Sequence, residues 1–117
     1  MNNILKSKYI KTNISKRWLI QNDFRYSKDL SNDESEIYIY RFVVHKYKNI
    51  PVLVCEIYLD LKTGIAGINV YDEKGDIYYP FCNIEYGNYE PLLNKINKKI
   101  YKEFKRLGIK KVSKICK

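Results

Sequence analysis

Glycine, proline and histidine are scarce in this 117-residue chain: five, three and one. The glycines stand apart at Gly64, Gly67, Gly75, Gly87 and Gly108, and none form the spaced clusters that cradle a phosphate. Cysteine is also rare and badly placed for metal or disulfide chemistry. Cys55, Cys82 and Cys116 make no CxxC pair and are odd in number, which excludes the usual zinc spacings and argues against a disulfide framework. They read as small buried residues of a reducing compartment. No apolar run approaches the roughly 20 residues needed to span a bilayer. The opening MNNILKSKYIKTNISKRWLI lacks a continuous apolar segment, so the expected location is cytoplasmic, away from membranes.

Groups that could do chemistry are equally thin. His45 sits beside Lys46 near a strand end, with no serine or cysteine nucleophile at a recognisable offset. Glu56 and Asp60 share a strand face, but four residues separate them by roughly 13 Å, too far to share a proton or a metal. Asp72, Glu73 and Asp76 surround a predicted turn, where acids are favoured for turn chemistry alone. No catalytic residue, metal site or cofactor is therefore expected, and the chain does not read as an enzyme.

What the chain has in quantity is apolar and basic side chains. With 45% hydrophobic residues, it can bury about two-thirds of its unfolded surface as one domain over residues 1–117, with flexible basic ends at about 1–12 and 110–117. Lys, Ile, Tyr and Asn make up 57 of the 117 residues, and all four have AT-rich codons. The net charge of +9 is segregated: +6 over residues 1–28, −6 over 29–94 and +9 over 95–117. Such separation produces fields that steer a polyanion or draw oppositely charged surfaces together.

Periodicity predicts an α+β domain. Ser15 can cap a short helix over Ile14–Asn22, and the polar stretch 27–36 reads as a loop. Period-two alternation follows in Ile37–Lys46, with Tyr38, Tyr40, Phe42 and Val44 on one face. Lys46–Ile50 is the expected connection to Val52–Leu61, whose Leu53, Cys55, Ile57, Leu59 and Leu61 face inward. Turns at Lys62-Thr63-Gly64 and Asp72–Gly75 lead through Ala66, Ile68 and Val70 to a fourth strand, Ile77–Phe81. The expectation is a four-stranded antiparallel meander. A long helix opens near Asn88–Pro91 and carries Leu93, Ile96, Ile100, Phe104 and Leu107 at spacings of three and four, a stripe that packs on one sheet face. Leu107-Gly108-Ile109 ends it, with Gly108 in the left-handed position.

The stretch INVYDEKGDIYYPFCNIEYGNYEPLLNKINKKIYKEFKRLGI, with ISKRWLIQNDFRY upstream, resembles small proteins of phages and mobile elements of low-GC bacteria. That family has no established activity, so the resemblance transfers no site residue. What it implies is context: regulators, DNA-handling accessories, or inhibitors of host defence such as anti-CRISPR proteins. The order helix, strands, helix is also loosely similar to a double-stranded-RNA-binding domain. That family places its lysines at the start of the last helix, whereas here the helix opens with Asn88-Tyr89-Glu90-Pro91.

Lys95, Lys98, Lys99, Lys102, Lys105 and Arg106 occupy the helix sector opposite the apolar stripe, Tyr101 flanks them, and Lys110 and Lys111 follow. Basic groups along one face can track phosphates, and an aromatic at the flank can stack on a base. The expected function is a non-catalytic basic module that engages nucleic acid or a nucleic-acid-containing complex, a host-defence nuclease being one such target. The alternative is a protein-interaction or self-assembling module, such as a homodimer. There the acidic 29–36 stretch meets another copy's helix, or, with the helix covering the other side of the sheet, exposed Tyr38, Tyr40 and Tyr58 form an adhesive face.

Overall fold

The computed structural model describes residues 8–78 and 91–111. Among the described residues, six antiparallel strands and two helices follow the chain order β1 (Tyr9–Ile10), α1 (Lys16–Gln21), β2 (Arg25–Tyr26), β3 (Ile37–Tyr47), β4 (Ile50–Asp60), β5 (Ile65–Asp72), α2 (Pro91–Leu107) and β6 (Lys110–Lys111). Their order across the single sheet is β2-β3-β4-β5-β1-β6. The fold class is as expected, but the four-stranded count is not. Of the predicted fourth strand only Ile77 and Tyr78 are described: Ile77 forms an isolated bridge with Tyr71, and Tyr78 N–H donates to the Val70 carbonyl at 2.9 Å; residues 79–81 lie outside the described residues. The additional strands are two-residue pieces, too short to show a period of two. Parts of both predicted basic ends belong to the sheet, where Tyr9 pairs with Lys111 and Ile10 with Lys110.

The central hairpin dominates the architecture. Its connection is only Lys48-Asn49, both with positive φ (50° and 67°), so β3 and β4 run on through Tyr47 and Ile50 where a longer loop was expected. Positive φ at both central residues gives the turn the twist that matches its strands, and the long ladder on either side offsets the strain of a lysine there. The second turn needs its glycine for two reasons. Gly64 has φ 78°, and a Cβ built on it would stand 2.5 Å from the Lys11 carbonyl oxygen. Lys11 N–H donates to the Gly64 carbonyl at 2.8 Å, so this close approach is how β1 is seated beside β5.

Register sets the two sheet faces. Tyr38 lies opposite Leu59, Tyr40 opposite Ile57 and Phe42 opposite Cys55, while Ala66, Ile68 and Val70 continue the same face on β5. Both helices cover this face. Leu19 of α1, capped by Ser15 accepting from Trp18 N–H at 3.1 Å, joins the core, and Phe24 packs, with tilted rings, between Trp18 and Tyr40. From α2, Leu93, Ile96, Ile100, Phe104 and Leu107 are all buried, as their spacing predicts. Gly108 (φ 74°) then reverses the chain, and Ile109 N–H donates to the Phe104 carbonyl at 2.9 Å, closing the helix end. Cys55 is fully buried, and burial pushes its thiol pKa up, out of reach of thiolate chemistry; the other two cysteines lie outside the described residues.

Candidate nucleic-acid interface

The same 3.6-residue period that buries five apolar side chains turns the lysines of α2 outward. Lys95, Lys98, Lys99, Lys102 and Lys105 are all exposed. At about 100° per residue they fall within an arc of about 120°, and from Lys95 to Lys105 they span about 15 Å. Among the described residues the ion pairs are Lys16–Glu36, Arg41–Glu56 and Arg106–Glu103, so none of these five lysines is in one. The loop before β3 meets cations at two points, one of them a carboxylate and the other a main-chain carbonyl. Lys16 reaches Glu36 at 3.8 Å, and Lys62 donates to the Asp33 carbonyl at 2.5 Å.

Arg106 behaves differently from its basic neighbours. Its Nε donates to Glu103 Oε1, its guanidinium lies 5.7 Å from the centre of the Tyr40 ring, and Tyr40 Oη donates to Glu103 Oε2 at 3.0 Å. Hydrogen bonding to Glu103 pushes the Arg106 pKa up, and burial, followed by the Glu103 carboxylate, does the same for Tyr40. The lone acid of α2 thus ties the helix to β3. Arg106, predicted as part of the ridge, is committed to that tie, so the free ridge is five lysines.

At the far end, Lys110 and Lys111 return as β6 at the sheet edge, which places them beside Tyr101 and Lys105 although they are not helical. The four border a groove of about 270 Å³, with Tyr9 and Phe104 in its wall. Tyr9 and Phe104 pack ring to ring at 4.7 Å, and Tyr9 Oη lies 3.5 Å from Tyr101 Oη. Tyr9 was not singled out in the sequence; only its pairing with β5 and β6 brings it here.

The opposite face of the sheet, uncovered by any described helix, holds a second polar cluster that sequence reasoning passed over. Arg41 donates twice to Glu56 Oε2, Tyr58 Oη donates to Glu56 Oε1 at 2.7 Å, and Tyr58 and Tyr71 share a hydrogen bond of 2.6 Å. Burial, then the bond to Tyr71 and the Glu56 carboxylate, drives the Tyr58 pKa up. The signal was available once the two-residue turn is known, because that turn sets Arg41 opposite Glu56. Both carboxylate oxygens of Glu56 accept from neighbours, so the cluster braces this face and exposes no unengaged base. Tyr58 stands here, whereas Tyr38 and Tyr40 lie on the helix-covered face, so the three do not form the single adhesive surface expected of them. Asp72, as expected of turn chemistry, accepts from Lys74 and Asp76 N–H. Among the described residues no three His, Cys, Asp or Glu side chains gather closely enough to hold a metal ion, and no helix is long and apolar enough to cross a membrane. The chain matches no protein-family model, no curated protein and no solved structure.

Proposed function

We propose that this protein is a non-catalytic module that binds a nucleic-acid backbone, free or within a protein complex, through the outward ridge of α2. The observation that carries this reading is five exposed lysines on one helix, none of them paired with an acid among the described residues. A helix that needed only solubility would gain it from mixed charges. Here Lys95–Lys99 and Lys98–Lys102 are like-charged at i,i+4, and Lys95–Lys98, Lys99–Lys102 and Lys102–Lys105 at i,i+3. Each such pair costs a helix about 0.2–0.5 kcal/mol, a repulsion that a row of phosphates relieves. Side chains of one 15 Å ridge match consecutive phosphates, which position a protein on nucleic acid without reading its sequence.

The test is the salt dependence of binding to a short duplex, followed by fluorescence anisotropy. Five lysine–phosphate contacts contribute about −4.5 to the slope of log K against log salt. Replacing Lys98, Lys99, Lys102 and Lys105 together by Gln removes about 3.6 of that slope. An unchanged slope in the quadruple variant, or no binding by the unmodified protein to duplex or single strand, rejects the reading.

A further inference from the structure

The ridge by itself meets any phosphate backbone; the groove at its end adds something a duplex cannot use. We infer that the preferred ligand is single-stranded nucleic acid, with one unstacked base laid on Tyr101 and its flanking phosphates held by Lys105, Lys110 and Lys111. This rests on the backbone-binding reading above and specifies the form of nucleic acid. Tyr101 is 39% exposed although it projects from a packed helix, at the edge of the lysine arc. Its side chain lines the same groove as Tyr9 and Phe104, with its hydroxyl 3.5 Å from that of Tyr9, and Phe104 backs Tyr9, so Tyr101 stands beside a wall held by both α2 and β1. Such support is what a stacking platform needs, because a ring already fixed loses little freedom when a base lies on it.

Size and charge point the same way. A groove of about 270 Å³ falls below the range of about 300–1,000 Å³ that encloses a drug-sized molecule, which suits one ring system with its phosphates outside. The lysines border the groove from two directions, Lys105 from the helix and Lys110 and Lys111 from the edge strand. A base in a duplex is stacked and paired, and its face is unavailable to a side chain; a single strand presents that face at every nucleotide.

The experiment compares a short oligothymidylate with a duplex of equal length, by anisotropy across a salt series, for the unmodified protein, Tyr101→Ala and Tyr101→Phe. Base–aromatic stacking of about 1–3 kcal/mol corresponds to roughly 5- to 150-fold in affinity. The expected result is single-strand binding tighter than duplex binding, a loss of that size for Tyr101→Ala on the single strand alone, an unchanged salt slope, and retention by Tyr101→Phe, which keeps the ring and lacks the hydroxyl. Circular dichroism of each variant confirms that α2 persists. Duplex binding with the ridge-dependent slope but no single-strand loss in Tyr101→Ala overturns this inference and leaves the backbone reading standing. Equal losses on both ligands also overturn it, since they assign Tyr101 to structure. No binding to either ligand overturns both.

Discussion

The two faces of α2 obey opposite rules. Inward, Leu93, Ile96, Ile100, Phe104 and Leu107 each have a place against the sheet, and burial makes every one specific in size and shape. Outward, five lysines share one charge and one solvent-facing arc, and none has a defined partner among the described residues. The seam between them is Glu103 and Arg106, where charge is used for packing. The contrast teaches that stability and the binding proposed above are separable on one helix, because the first depends on apolar contact on one side and the second on charge on the other.

Substitutions along this division should separate the two properties. The largest effect is expected for Ile96→Ala, which empties a fully buried site away from the groove and should cost about 2–5 kcal/mol in urea unfolding. Below its lowered melting midpoint the variant should still bind nucleic acid with an unchanged salt slope; a changed slope would break the division. Glu103→Gln comes next and tests the seam. It weakens the contacts to Tyr40 and Arg106, so stability should fall by about 1–2 kcal/mol while affinity for a polyanion rises, because one negative charge leaves the ridge and Arg106 is released. A fall in both would place Arg106 outside the interface. The smallest effect is expected for Lys102→Gln, which should shift stability by less than about 0.5 kcal/mol and reduce the salt slope by about 0.9. A larger loss of stability would mean that Lys102 has a structural partner.

Much of this was legible from local pattern. The buried stripe of α2, the Ser15 cap, the Gly108 stop and the inward faces of β4 and β5 each follow from spacings of two, three or four residues, and neighbouring residues suffice to read them. What was missed depends on distant ones. Tyr9–Ile10 and Lys110–Lys111 are strands because they pair with each other, about 100 positions apart, and because Tyr9–Ile10 also pairs with β5. The connection at Lys48-Asn49 reads as a longer loop because it lacks the glycine that usually marks a two-residue turn. Tyr38, Tyr40 and Tyr58 cannot be sorted between the two faces until that turn sets the register.

The division of labour on α2 was thus decided by the order of residues alone, since a helix converts spacing into direction wherever it forms. How the basic groups sit against the rest of the molecule was decided only by folding. Glu103 reaches Arg106 at the local i,i+3 spacing, but its bond to Tyr40, 63 positions away, fixes that pair to the sheet, and the sheet edge carries Lys110 and Lys111 to the flank of Tyr101. The bond to Tyr40 and the placing of Lys110 and Lys111 turn on through-space distances of a few ångströms between segments remote in the chain, and no local period encodes those.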